Sequence, residues 1–199
     1  VAPVISDSFT VQPAAELMAL QPGRDLTDTR TRAGEPFEFQ PVIEILSGQG
    51  TKVGSSAEVT ARILVNPARN QAHDPNAGLA QLQGTFVVKA KLGIATFTDL
   101  YITKANVAQD VVGRFKLNFY FGQVSTDSGE FDILPRLPPA HNLLVFKQPR
   151  EAVAGRAFGS PFIYLVDEYN NRMDRKDMEA SNKVAVAVEL LGGPPGSRL

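Results

Sequence analysis

The chain has no cysteine. Disulfide staples, thiolate metal sites and cysteine nucleophiles are therefore excluded. Tryptophan is absent too, and there are two histidines, His73 and His141. Charge of neither sign prevails: 20 Lys and Arg stand against 21 Asp and Glu, a formal net charge of −1. Such a balance lacks the basic face that general nucleic-acid binding needs. No apolar run comes near the roughly 20 residues that span a bilayer as a helix, so no membrane insertion is expected of this segment. Val1-Ala2-Pro3-Val4 carries no signal-peptide profile. No Asn-x-Ser/Thr sequon occurs; even Asn66 is followed by Pro67. Missing sequons and cysteines lean toward a cytosolic or bacterial setting rather than a eukaryotic secreted one.

What the chain does have is apolar content, 43% of 199 residues, and many turn residues, 16 Gly and 14 Pro. A packed core with frequent turns follows. The apolar residues recur at every second position. Val59, Ala61, Ile63 and Val65 alternate with Glu58, Thr60, Arg62 and Leu64. Phe115, Leu117, Phe119 and Phe121 alternate with Lys116, Asn118 and Tyr120. Val184, Val186, Val188 and Leu190 alternate with Ala185, Ala187 and Glu189. Period two puts one face of a strand on a core and the other toward water. Further strands are expected over 9–12, 42–46, 86–89, 94–97, 131–134, 143–147 and 162–166. Turn clusters such as Ser47-Gly48-Gln49-Gly50 and Asp127-Ser128-Gly129 separate them. Many short strands with frequent turns predict an all-β chain of antiparallel β-sandwiches. Helical pattern is confined to 14–20 and 174–180.

The landmarks recur in the same order. The first series is Val11-Gln12-Pro13, Ala33-Gly34, Pro41-Val42-Ile43-Glu44-Ile45-Leu46 and Ser56 through Ile63. The second is Lys147-Gln148-Pro149, Ala154-Gly155, Pro161-Phe162-Ile163-Tyr164-Leu165-Val166 and Ser181 through Val188. Spacings differ where loops differ, which chain entropy tolerates well. Between the copies lies the stiff linker Pro135-Arg136-Leu137-Pro138-Pro139. The second copy has no counterparts of Gly93 to Leu100 or of Arg114 to Phe121. It is expected to be an incomplete sandwich that other residues must finish, so the chain reads as a fragment.

Leu144-Val145-Phe146-Lys147-Gln148-Pro149, Ala152-Val153-Ala154-Gly155-Arg156-Ala157-Phe158, Pro161 through Asp167 and Asn170-Asn171-Arg172 resemble the tandem immunoglobulin-like, filamin-like repeats of large surface proteins. The run Gly93-Ile94-Ala95-Thr96-Phe97-Thr98-Asp99-Leu100-Tyr101-Ile102 is similar to a stretch common in those repeats. The resemblance implies tandem immunoglobulin-like sandwiches. Residues 1–134 would form the first, with long loop inserts, 135–140 a proline-rich linker, and 141–199 the first half of a second. The first copy departs from the pattern, with Ser47-Gly48-Gln49-Gly50 where the second has 167–171.

Chemistry-bearing residues are sparse. His73 lies in a polar loop and His141 follows the linker; both read as solvated, with no Gly-x-Ser-x-Gly elbow to build a hydrolase around. Asp127, Glu130 and Asp132, and Asp167, Glu168, Asp174, Asp177 and Glu179, are the acidic candidates. Calcium at a module junction takes about six to eight converging oxygens, but Arg172, Arg175 and Lys176 interleave with the acids, as in a solvated charged turn. Asp167, Asn170 and Asn171 can hydrogen-bond their own turn. Lys89, Lys91, Lys104, Arg114 and Lys116 read as charged protection of sheet edges. No catalytic, cofactor-binding or metal residue is assigned, and no cofactor.

The expected function is accordingly that of a non-enzymatic structural or adhesive module, part of a larger repeat-containing surface or filament protein. Its partners would be other proteins or neighbouring repeats, reached through sheet edges and loops, in an extracellular or cell-surface setting. An intracellular scaffold of a cytoskeletal or ciliary assembly comes second, and an accessory domain of a secreted enzyme third.

Overall fold

The structure, a computed structural model, describes residues 16–20, 26, 31–67, 79–106, 113–137, 140–148, 155–156, 159–173 and 185–189. The chain is all-β. Its strands are β1 (Glu16–Leu20), β2 (Val42–Ser47), β3 (Glu58–Val65), β4 (Leu82–Gln83), β5 (Val87–Lys89), β6 (Ile94–Thr96), β7 (Tyr101–Ile102), β8 (Lys116–Phe121), β9 (Val124–Asp127), β10 (Asn142–Lys147) and β11 (Phe162–Val166). One antiparallel sheet has the order β1-β2-β6 and a second the order β5-β3-β8-β9; β4-β7 and β10-β11 are two-stranded.

The first two sheets enclose one core, and period-two alternation builds it. Ile43 and Ile45 of β2 face Val59 and Ala61 of β3 and Leu117 and Phe119 of β8, all buried. Phe97 meets Phe119 with ring centroids 5.5 Å apart, and Phe131 lies between Phe37 and Phe115 at 5.7 and 6.1 Å. Leu100, Ile102 and Ile133 complete the interior. Of the core expected from the alternation in β3 and β8, Ile63 and Phe121 are only half-buried and Val65 is exposed. A register shift between Ile63 and Val65 against β8 interrupts the pleat there.

Three elements differ from the sequence pattern. Residues 16–20, read as helical because Glu, Leu, Met and Ala are good helix formers, are strand β1. The reason is tertiary: a five-residue ladder to β2 places Met18 in the core. Residues 131–134 form only isolated bridges, Phe115 with Phe131 and, in parallel, Arg32 with Leu134. The Ser128 side chain breaks the ladder: its Oγ accepts from Leu117 N at 2.9 Å in place of a backbone carbonyl. Asn118, assigned to water, is buried. Arg62 Nε donates to Asn118 Oδ1 at 2.9 Å, and Asn118 Nδ2 donates to Asp127 Oδ1 at 2.8 Å. Lys116 pairs with Asp127 at 3.2 Å, and Arg62 lies over the Tyr120 ring. The Asn118 amide, helped by Lys116 and Arg62, holds the Asp127 carboxyl below its ordinary pKa, against the opposing effect of partial burial.

Between β5 and β6, Leu92 and Gly93 both have positive φ, 50° and 79°, in a tight turn closed by Lys91 and Ile94. That is the type I′ geometry whose twist matches paired strands. Gly93 is also held by space, because a Cβ there would strike the Val53 carbonyl.

The β10–β11 hairpin is different in kind. It carries a bulge between Val145 and Lys147. Leu143, Val145, Phe146 and Phe162 are exposed; Phe146, Phe162 and Tyr164 pack on one another, with centroids 5.3–6.3 Å apart, and Arg172 lies over the Tyr164 ring. The strand expected over 9–12 and the helical pattern over 174–180 lie outside the described residues. Of the strand expected over 184–191, residues 185–189 are described; they are unpaired and exposed.

Candidate functional site: the docked turn

Among the described residues, a dense set of buried polar contacts belongs to the turn that follows β11. Asp167-Glu168-Tyr169-Asn170-Asn171 reverses the chain and closes on itself. Asp167 N donates to Asn171 O, and Asn170 N to Asp167 O, both at 3.0 Å. Asp167 Oδ1 accepts from Tyr169 N and Asn171 N, each at 2.9 Å, and Oδ2 accepts from Asn171 Nδ2 at 2.9 Å. Asn170 has φ of 60°, a conformation asparagine tolerates better than most residues.

This closed turn is seated on the two-sheet sandwich. Asn171 has hydrogen-bonding capacity beyond what the turn uses, and two backbone groups take it up. Its Nδ2 donates to Thr103 O at 3.0 Å, and its Oδ1 accepts from Ala105 N at 2.9 Å. Lys104 Nζ donates to the Tyr169 carbonyl. The Tyr169 ring lies on Gly34, whose φ is 77°; a Cβ at that position would run into the ring. Glu168 pairs with Arg136 in the linker. The result is a buried polar joint in which Asp167 is 2% exposed and Asn171 1%. Interior hydrogen bonds of this sort are directional and all-or-none, because an opened joint leaves its buried groups without partners.

The solvated charged turn expected over the acids from Asp167 to Glu179 is corrected at its start, where Asp167, Asn170 and Asn171 hydrogen-bond their own turn as expected. Asp167 is buried, and its carboxylate is committed to the turn's own N–H groups and to Asn171. The edge role expected of Lys104 is corrected as well: it is 6% exposed and caps a carbonyl. Lys89 and Lys91 are exposed on and beside β5, at the edge of its sheet, while Arg114 pairs with Asp132 at 3.2 Å. His141 is exposed and donates its backbone N–H to Val166 O. His73, Asp174, Asp177 and Glu179 lie outside the described residues. Among the described residues no three of His, Asp or Glu stand close enough to share a metal ion, and no helix is long and apolar enough to cross a membrane.

The turn after β2 has the same construction. Ser47 N donates to Thr51 O at 2.7 Å and Gly50 N to Ser47 O at 2.8 Å. Ser47 Oγ accepts from Gln49 N and Thr51 N at 3.3 and 3.2 Å, as Asp167 Oδ1 does from Tyr169 N and Asn171 N. The flanking bridges correspond, Leu46 with Lys52 and Val166 with Arg172. So do the bonds that follow, from Val53 N to Ile45 O and from Met173 N to Leu165 O. Serine therefore does in the first turn what aspartate does in the second. What the first turn lacks is the means of attachment: Gln49 stands where Tyr169 is, and Thr51 where Asn171 is.

No protein-family model matches the chain, and no curated protein or solved structure is similar enough to match it.

Proposed function

We propose that the chain is a non-enzymatic structural module, two immunoglobulin-like, filamin-like units in tandem, belonging to a larger repeat-containing surface or filament protein. The observation that carries this reading is the buried joint of Asp167, Tyr169 and Asn171 on Gly34, Thr103, Lys104 and Ala105. Its groups connect one part of the chain to another, and none is placed as a nucleophile beside a base. The shared hydrogen-bond scheme of the two turns supports the repeat. A linker of three prolines and a polar joint together restrict how the second unit swings about the first, which is what a spacer or filament element requires. Partners would meet it through loops and free sheet edges.

Amide hydrogen exchange tests the joint. Asn171→Ala is expected to speed exchange at the Ala105 amide and in β10–β11 while β2, β3 and β8 stay protected. Unchanged exchange in the hairpin would overturn the joint. A chemical turnover of the parent protein that disappears in His73→Ala or His141→Ala would overturn the non-enzymatic reading.

A further inference from the structure

Beside the joint lies an open groove of about 360 Å³, at the low end of the range for small-ligand sites of about 300–1,000 Å³. Its floor is the outer face of the β4–β7 ribbon. Leu82 pairs with Ile102 and Gln83 with Tyr101, and Ile102 is fully buried. Period two therefore turns Gln81, Gln83, Tyr101 and Thr103 outward together. Gln81 N donates to Thr103 Oγ1 at 3.2 Å and Gln83 Nε2 to Gln81 Oε1 at 3.1 Å, so the platform is pre-ordered. Tyr169 and Lys104 line the groove as well. Tyr169 is held there by its backbone in the turn and by Gly34 beneath its ring; the turn itself closes equally well around Gln49 in the first copy.

Among the described residues the lining contains no carboxylate, and its one cation there is buried with its ammonium directed at the Tyr169 carbonyl. A charged ligand would lose water there without gaining a counter-charge. The open shape leaves one side of any ligand wet, so the ligand must be soluble on that side and carry both apolar and hydroxyl surface on the other. Two phenol rings offer flat apolar faces. Two amides and a threonine hydroxyl offer donors and acceptors on the same face of the ribbon. An extended peptide would instead want a row of backbone partners, which a side-chain platform does not supply.

We propose that this groove is a subsite for a neutral saccharide, a hexose or N-acetylhexosamine unit stacked on tyrosine and hydrogen-bonded by Gln81 and Gln83. This goes beyond the structural role and does not depend on it. Affinity is weak, millimolar in scale, because a shallow groove leaves much of the ligand in water. The test is a nuclear magnetic resonance titration of the ¹⁵N-labelled chain with maltotriose, cellotriose, chitotriose, 3′-sialyllactose and a Gly-Ser-Thr peptide. Saturable shifts of the Gln81 and Gln83 side-chain amides are expected with at least one neutral trisaccharide. Tyr101→Ala is expected to weaken that binding by about 3- to 10-fold, the scale of one aromatic contact. Gln83→Ala should weaken it too, and an unmoved Ala105 amide in both variants shows that the joint is intact. Overturning results are no saturable shift with any neutral trisaccharide, tighter binding of the sialylated one, a response to the peptide alone, or undiminished binding in Tyr101→Ala when its Ala105 amide is unmoved. Should Tyr101→Ala disturb the joint, Gln83→Ala and Gln81→Ala decide in its place.

Discussion

Two strands with matching sequence landmarks, β2 and β11, end up in different environments. β2 has Ile43 and Ile45 sealed between two sheets, whereas their counterparts in β11, Ile163 and Leu165, are only half-buried, and Phe162, which stands where buried Val42 does, is 53% exposed. Both are followed by the same five-residue turn with the same hydrogen bonds. Local sequence is thus enough to shape a strand and close its turn. Burial needs a second layer, which β3 and β8 provide for β2; among the described strands none is paired beside β10 and β11 to provide one for the hairpin.

The largest expected effect sharpens that contrast. Phe119→Ala or Phe131→Ala removes a ring from the sealed core and should destabilise the fold by about 3–5 kcal/mol. Phe162→Ala should cost under about 1 kcal/mol, as truncations of half-exposed side chains do. Equal losses in chemical denaturation would mean that the hairpin face is covered in solution and would break the comparison.

Next comes a comparison of the two turns. Asn171→Ala leaves the Ala105 N–H and the Thr103 carbonyl buried and unpaired, at about 1–3 kcal/mol for such a loss. Thr51→Ala removes one exposed-side hydroxyl contact and should cost under about 1 kcal/mol. A similar cost for both, read from local exchange rates, would show that the second turn gains nothing by docking.

Much of this could be read from the residues, and what could not has physical causes. Alternation located the centre of the core, Val59 and Ala61 on β3 and Phe115, Leu117 and Phe119 in and beside β8, because burial in a sandwich follows side-chain direction; it missed Leu26 and Phe37, which lie outside the strands. It misjudged Asn118, since period two says which way a side chain points and not whether Arg62 and Asp127 will fold over it. Propensity misled at 16–20, where five backbone pairings to β2 outweigh helix preference. Within the joint, the self-closure of Asp167, Asn170 and Asn171 was legible because it is local. Thr103, Lys104 and Gly34 were not, because nothing near them in sequence announces a turn more than 60 residues away; the Asn171 to Thr103 bond alone spans 68 positions. The one available signal was the hydrogen-bonding capacity of Asn171 that its own turn leaves over.

Leu92 allows a smaller test. It is 81% exposed and held at φ of 50°, where a non-glycine residue carries about 1–2 kcal/mol of steric cost. Leu92→Asn should stabilise the fold by several tenths to about 1 kcal/mol in a thermal melt, since asparagine suits a type I′ turn. A loss of stability would show that Leu92 contacts something its exposure does not suggest.

The smallest effect is one of pH. Asp127 has a folded pKa below its ordinary value of 3.8, so its contribution is complete above that value and fades as pH falls through the lower, folded one. The stability difference between wild type and Asp127→Asn should therefore be flat through neutral pH and shrink in strongly acidic solution. A difference that grows on acidification would contradict the Asn118–Asp127–Lys116 arrangement.

The joint also has an order in time. Every group that receives the turn, from Gly34 through Thr103 to Ala105, precedes it in the chain. On a ribosome the socket is made, and its sandwich is able to close, before the plug at 167–171 has been synthesised. The plug then arrives at a finished surface and adds its own closed loop as a unit. Docking of the 167–171 turn therefore reports on the sandwich that precedes it, because Ala105 N–H and Thr103 O come into position only when that sandwich has folded.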